Sequence, residues 1–375
     1  MSVRIADVAV VGGGIVGAAC ADAFSADGLS VELIEAGIVG GGASAAGMGH
    51  LTVMDDSEAQ FALTSFSLRL WKRLETALPA EVEYSRCGTL WVAADDEEMA
   101  EVERKRQFYT LRGVTAETLD ARQVAEAEPN LRPGLAGGLL VPGDRVIYAP
   151  CAAAWLVKRA IAGGARVRTG VRAVSTDASM GAGMVTLSDG GRVSAKHIVD
   201  ATGAASPDLV RPRKGHLAIT DRYAGFVRHQ VVELGYLKSA HGHDIESVAF
   251  NVQPRATGQV LIGSSRQYGI GDSRVDAHLL ARMLRRAVEY MPRIATLSVV
   301  RAWTGFRAAT PDSLPLIGPS PRNGQVLLAT GHEGLGITTS LGTARLLADW
   351  VAGRKPPIPI EPYLPTRFPA EVHRG

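Results

Sequence analysis

The stretch VAVVGGGIVGAACADAFSADGLSVELIEAG, Val8 to Gly37, decides the fold. Val8 to Val11 is a short apolar run that glycines stop at once, which predicts a buried parallel strand rather than a helix. Gly12, Gly14 and Gly17 have GxGxxG spacing, Ala18, Ala19, Ala23 and Phe24 continue on a helix, and Val31 to Ile34 is a second buried strand ending at Glu35. An acid 18 residues after Gly17 in such a βαβ unit is the setting in which the spacing specifies a dinucleotide site. Gly12 allows the tight turn, Gly14 lets backbone approach a pyrophosphate, and Gly17 lets helix and strand pack closely. Ile15 and Val16 open the helix, whose N-terminus adds partial positive charge. Glu35, followed by Ala36, is placed to accept hydrogen bonds from a ribose diol. NAD and FAD share this fingerprint, so the rest of the chain must choose between them.

The chain has 375 residues, enough for two domains and more than one core. Its hydrophobic content of 46% and charged content of 21% are those of an ordinary globular protein. A net charge of +2 without a basic block gives no reason to propose a nucleic-acid partner. Cys20, Cys87 and Cys151 are far apart and form no CxxC pair, which argues against an iron–sulfur or zinc site and against a disulfide framework. No metal site is expected. The N-terminus reads as lacking a signal peptide, and no apolar run approaches the roughly 18 residues that span a bilayer. The expected location is cytoplasmic, with peripheral attachment to the inner membrane left open.

Further along, apolar residues at helical spacing predict a helix over 58–78. A charged helix over 95–111 is capped by Asp95 or Asp96. Glycine and proline around 134–148 suggest a domain crossing. A helix over 150–163, short strands near 166–175, a hairpin turned at Asp189-Gly190-Gly191 and a buried strand into Ala201-Thr202-Gly203 follow. Strands dominate from Gly215 to about Arg301, with a helix over 276–291. The tail returns to VLLATG, a glycine-rich turn and a helix over 340–351. The fold class is α/β with an α+β second domain: a Rossmann-like domain interleaved with an antiparallel-sheet domain. The expected division is 1–80, 145–214 and 302–375 for the first, 81–144 and 215–301 for the second.

With VVGGGIVG, GGGASAAGMGH after the second strand, GVRAV and IVDATGA in the middle, and TGFRAATPDSLPLIGP with ATGHEGLGITTSLGTARLLADWV near the end, the sequence resembles the FAD-dependent amino-acid oxidoreductases related to D-amino-acid oxidase, glycine oxidase and sarcosine oxidase. The resemblance covers nearly the whole length. It implies FAD as cofactor, and a first domain that binds it beside a second that binds substrate.

The cofactor contacts that follow are the turn from Gly12 to Gly17, then Glu35, Ala36, Gly42, Ala43, Ser44, Gly47, Met48 and Gly49. In GGASAAGMGH the small residues let backbone run beside the pyrophosphate and flavin edge. Ser44 either donates to a phosphate oxygen or caps a helix, and both roles are compatible. Met48 and Gly49 would lie beside the isoalloxazine ring. Val171 resembles the residue whose backbone meets the adenine, and Thr202-Gly203 a turn near the cofactor; both positions also read as plain strand ends. The amides of Gly331, Glu333, Gly334, Leu335, Gly336 and Ile337, with Thr338 as a further donor, would stabilise charge at the flavin N1–C2=O. The alternative there is a simple strand-to-helix connection.

Arg307 matches the family's substrate-clamping arginine and is also counted as a cofactor neighbour. A carboxylate needs a planar, permanently charged bidentate partner, which guanidinium supplies; a structural salt bridge is the alternative. Arg301 is the weaker candidate. His50 would take an amine proton or bond a substrate hydroxyl, its ordinary pKa suiting the task, or else hold the loop. Met48, His332, Tyr236 and Phe250 complete the candidate substrate contacts, with core packing the default for the last two. The HGHD run (His241, His243, Asp244) looks metal-like but its small neighbours suggest a loop.

Two departures from the family predict non-covalent FAD. RAATPDSLPLIG lacks the flavin-linked cysteine of sarcosine oxidases, and Ala46 stands where the dimethylglycine dehydrogenase type carries its flavin-linked histidine. AAGMGHLTVMDD and SVAFNVQPR most resemble D-hydroxyproline dehydrogenases and flavin subunits of bacterial amine dehydrogenases. The resemblance therefore implies hydride transfer from Cα to flavin N5 in a small secondary or D-amino acid, with cis-4-hydroxy-D-proline the preferred substrate. The alternatives are a glycine or sarcosine oxidase using O2, a flavin subunit passing electrons to separate subunits, and an NAD-dependent dehydrogenase. The acceptor, whether quinone, dye or O2, is left open.

Overall fold

The computed structural model describes residues 5–179, 182–206, 209–235 and 246–369. Tyr236 and the HGHD run lie outside the described residues. The chain begins β1 (Ala6–Val11), α1 (Ile15–Ala26), β2 (Val31–Glu35), α2 (Ala43–Ala46), β3 (His50–Leu51) and α3 (Glu58–Leu74). Next come β4 (Thr89–Ala93), α4 (Asp96–Leu111), β5 (Glu117–Asp120), α5 (Ala121–Ala127), β6 (Gly137–Val141), β7 (Arg145–Val146) and α6 (Ala149–Ala162). The strands β8 (Arg166–Thr169), β9 (Ala173–Ser179), β10 (Ala182–Leu187), β11 (Arg192–Asp200), β12 (Arg211–Arg222) and β13 (Gln230–Glu233) follow. The last elements are β14 (Glu246–Pro254), β15 (Gln259–Gln267), α7 (Ala277–Tyr290), β16 (Val299–Ala309), β17 (Leu316–Ser320), β18 (Asn323–Thr330) and α8 (Gly336–Val351).

Two large sheets divide these strands. The first has the order β17-β18-β11-β1-β2-β8, with β10 and β9 extending from β11. Its centre is parallel: Val11 stands opposite Ile34 of β2 and Asp200 of β11. Parallel strands buried on both faces need continuous apolar runs, and Val8, Val10 and Leu33 are wholly buried. Helix α1 packs against α6 and α8 through small residues, with Phe24 filling the space beneath. Burying that one ring stabilises the unit by about 1.5–3 kcal/mol.

The second sheet has the order β16-β12-β15-β14-β13-β4-β6-β5. Helix α7 covers one face, where Phe250, Val252 and Ile262 meet Met283, Ala287 and Tyr290. In the region around 134–148 the chain leaves this sheet after β6 and continues into α6, which packs on α1. The glycines of β6 are packing residues: a Cβ on Gly137 or Gly138 would stand 2.5 Å from the carbonyl of Leu119 or Trp91. The last helix also starts earlier than expected, at Gly336 rather than Ser340.

Candidate active site

At the end of β1 the chain turns with Gly12 at φ +103°, where a Cβ would stand 2.5 Å from the Ala201 carbonyl oxygen. A Cβ on Gly17 would stand 1.9 Å from the Gly12 oxygen, so these two glycines are imposed by backbone contact. Gly14 is different. Its nearest neighbour would be Ser44 Oγ at 3.4 Å, and that side of the turn is open to an incoming group. The Glu35 carboxylate closes the turn by accepting from Gly13 N at 2.6 Å and Gly37 N at 2.7 Å.

Three helices begin around this crevice: α1, α2 and α8. None has a side-chain cap from its own N-cap residue, Gly14, Gly42 or Leu335. Elsewhere α3, α4, α5 and α7 are capped by Ser57, Asp95, Asp120 and Asp276, while α6, which starts after Tyr148 with Pro150 in its first turn, has no side-chain cap. Val16 and Gly336 bring the starts of α1 and α8 together. Converging helix N-termini concentrate positive potential where a diphosphate or a reduced ring needs it. Ala36, Gly42, Ala43 and Gly47 leave their backbone exposed around the same space.

Several of the expected contact residues also hold the surrounding backbone in place. Ser44 does not cap its own helix; its buried oxygen accepts from Ile15 N of α1 at 2.9 Å, leaving the hydroxyl proton to donate. Val171 N donates to the Glu35 carbonyl, and Thr202 is tied by its amide and hydroxyl to Asp200, with Gly203 O accepting from Thr330. The Thr338 hydroxyl is not a free donor. It gives its proton to His50 O at 2.9 Å and accepts from Thr52 N, fastening the 50–52 segment to α8. Ile337 reaches Gly47 in the same contact.

The other wall is the face of the second sheet that α7 does not cover. Arg307 on β16 lays its guanidinium over Gly215 of β12, where a Cβ would be within 2.4 Å of Nη1, and donates to Ser265 O at 3.0 Å. Gly334 borders the same group. Gly263 and Gly305 extend the bare floor, with Ala46 resting on Gly305. Met48, Leu217 and Leu261 form a small apolar cluster beside it, joined by Ile219 and Trp303.

Gly49, at φ +89°, lies against the Ile147 carbonyl and turns the chain into His50. Burial, reinforced by the Arg307 charge and partly offset by Gln253, pushes the His50 imidazole down to about 4. Its ordinary pKa therefore does not apply, and the ring is neutral at pH 7.

Two expected substrate contacts are corrected. Phe250 is fully buried beneath α7, stacked on Tyr290 at 4.8 Å, on the opposite face of β14 from Met48. His332 turns towards α8, where Nε2 meets Thr343 Oγ1 at 2.9 Å, and burial pushes its pKa down to about 3. The next residue, Glu333, sits in left-handed backbone at φ +54° and pairs with Arg213.

Arg213 went unnoticed in the sequence. It faces Arg307 directly across β12 and β16 and donates to Tyr268 OH at 3.1 Å. Asn251 and Gln253 were also missed, although their alternation with Phe250 and Val252 marks a second strand face.

A family model described as FAD dependent oxidoreductase matches residues 7–350. The chain belongs to that family. Its cofactor is FAD, which suits the open Gly14 turn and the three helix starts gathered around it. Among the relatives of this FAD-dependent oxidoreductase, a glycine oxidase from Geobacillus kaustophilus (strain HTA426) is 28% identical over 385 residues, covering 98% of each chain. A D-amino-acid oxidase from Bradyrhizobium diazoefficiens is 29% identical over 261 residues, 68% of this chain and 61% of that protein. The crystal structure of the G. kaustophilus glycine oxidase matches the fold with a TM-score of 0.88 at 27% identity, over 98% of this chain and 100% of that one. Among the described residues, no group of His, Cys, Asp and Glu is placed to hold a metal ion, and no helix is long and apolar enough to cross a membrane.

Proposed function

We propose that the chain oxidises a small secondary or D-amino acid at its Cα–N bond, with cis-4-hydroxy-D-proline as preferred substrate and a pyrroline carboxylate as product. The observation that carries this reading is Arg307, its guanidinium spread over a floor of glycines beside an apolar wall. FAD, when bound non-covalently against α1, α2 and α8, supplies the acceptor for the hydride that leaves Cα as amine becomes imine.

Arg307 binds the carboxylate through paired N–H donors and fixes the direction of the Cα–H bond. Ser265 O holds that guanidinium in place, and Gly215 leaves room for it. Met48, Leu217 and Leu261 exclude water from the carbon side of the substrate. His50 stays neutral and offers hydrogen bonds to the amine side, rather than a charge that would repel an ammonium group. The unit built on the first sheet serves the cofactor and that on the second serves the substrate. The G. kaustophilus and B. diazoefficiens relatives support an amino-acid substrate.

The glycine oxidase relatives favour a second reading, oxidation of glycine or sarcosine with O2. Oxygen uptake and reduction of an acceptor dye, compared across cis-4-hydroxy-D-proline, D-proline, sarcosine and glycine, separate the two. Absence of turnover of cis-4-hydroxy-D-proline with either acceptor overturns the preferred substrate. Yellow colour left in an acid-precipitated pellet overturns non-covalent binding. Size-exclusion of the chain expressed alone, with the same assay, tests whether separate electron-transfer subunits are required.

A further inference from the structure

Around Met48 four buried polar atoms have no hydrogen-bond partner among the described residues: His50 Nε2, Asn251 Oδ1, Gln253 Oε1 and Trp303 Nε1. Folded cores rarely leave such atoms unpaired, and four of them on one surface offer hydrogen bonds that a polar group entering there can take up. Asn251 and Gln253 themselves are almost wholly buried. The Gln253 nitrogen is committed to the Met48 carbonyl, so its oxygen is the atom left over. That oxygen lies beside the His50 ring and favours its protonated form, partly offsetting the effect of burial.

These groups share one surface. Trp303 stands opposite Leu217, Leu217 touches Gly263, and Gly263 stands opposite Asn251, making one row across four strands. The Arg307 guanidinium lies over Gly215, two residues along β12 from Leu217 and therefore one row away, about 7 Å by strand rise. The open row over Gly263 gives an amino acid whose carboxylate sits on Arg307 room to extend towards Asn251. Both leftover carboxamide atoms are acceptors, so the group they await is a donor.

We propose that Asn251 and Gln253 form the specificity element of this site, their side-chain oxygens accepting hydrogen bonds from a hydroxyl on the substrate's ring. The assignment rests on a cyclic amino acid being the substrate. Met48, Leu217 and Leu261 pack against the ring carbons, and the two carboxamides distinguish a hydroxylated ring from a plain one. An acceptor that a substrate leaves unpaired disfavours that substrate, which is how polar pockets reject analogues lacking a hydroxyl.

The test uses the FAD-loaded enzyme with an acceptor dye, and compares kcat/KM for cis-4-hydroxy-D-proline and D-proline. The wild type is expected to favour the hydroxylated ring by about ten-fold or more. Asn251→Leu should lose roughly ten-fold more on the hydroxylated ring than on D-proline, chiefly through KM, with the same change in affinity seen when the flavin spectrum is titrated anaerobically. Should Asn251→Leu fail to hold flavin, Asn251→Ala and Asn251→Ser report the same ratio. A ratio unchanged in these variants overturns the assignment. A wild type that treats the two rings alike also overturns it, while leaving a cyclic substrate standing. A wild type active only on glycine or sarcosine overturns both.

Discussion

The glycines of the first turn and the glycines of the second sheet are bare for different reasons. At Gly12 and Gly17 the obstacle to a side chain is backbone, which cannot move without undoing the strand–helix contact. At Gly263 it is the ends of side chains, Leu217 and Met48, and at Gly215 the Arg307 guanidinium stands closer than the Ser265 carbonyl oxygen behind it. The first pair is a condition of folding. The second makes room for side chains brought in from elsewhere in the fold, Arg307 at Gly215 and Leu217 with Met48 at Gly263.

Substitution at each place separates those roles. Gly17→Ala is expected to have the largest effect, costing about 3 kcal/mol or more and leaving little flavin in the purified protein. Thermal unfolding and the absorbance of bound FAD measure it, and a stable, fully yellow variant would break the distinction.

Arg307→Met should keep its flavin but lose about 10²–10³-fold in kcat/KM for an amino acid. Arg307→Lys should recover only part, because ammonium lacks the paired donors. Wild-type turnover in Arg307→Met would return this residue to a purely structural role.

His332 and His50 sharpen the comparison through pH. Both have folded pKa values below the ordinary 6.5, near 3 and 4, because burial disfavours the charged ring. The unfolded chain therefore takes up protons below pH 6.5 that the folded chain refuses, so stability is whole above that pH and falls as pH drops through the window. His332 alone contributes a loss of roughly 3 kcal/mol by pH 4. Denaturant titrations from pH 7.5 to 4 should show a shallower loss in His332→Gln. A slope identical to wild type would mean that His332 is not the proton-refusing group.

Gly263→Ala should have the smallest effect. Its new methyl meets flexible side-chain ends, so the protein should fold with its flavin while KM rises by less than about ten-fold. A loss of folding there would show that the bare floor is structural after all.

The parts legible in the sequence are those that short-range chemistry controls. The βαβ unit with its acid at Glu35 and the cap at Asp95 each depend on residues close in the chain, three positions apart for the cap and 22 for the Glu35 contact to Gly13. On the second sheet the expected contacts and the observed ones differ by one residue. Phe250, a candidate wall with core packing as its default, packs under α7 while Asn251 lies on the opposite face, and beside His332, which turns towards α8, Glu333 pairs with Arg213. A strand shows opposite faces at successive residues, and alternation alone does not say which face a helix will cover.

By itself the sequence determined that a dinucleotide turn exists, where it lies and why Gly17 must be glycine, because strand, turn and helix interact within thirty residues, whereas the Ala201 carbonyl that bars a side chain at Gly12 arrives only with the folded sheet. Only the tertiary structure decided what stands around Arg307. Gly215, Gly263, Asn251 and Gln253 come from three further strands, and their meeting depends on sheet order, on register and on α7 claiming the other face. No local spacing encodes that choice, since it follows from which apolar surfaces bury one another over the whole chain.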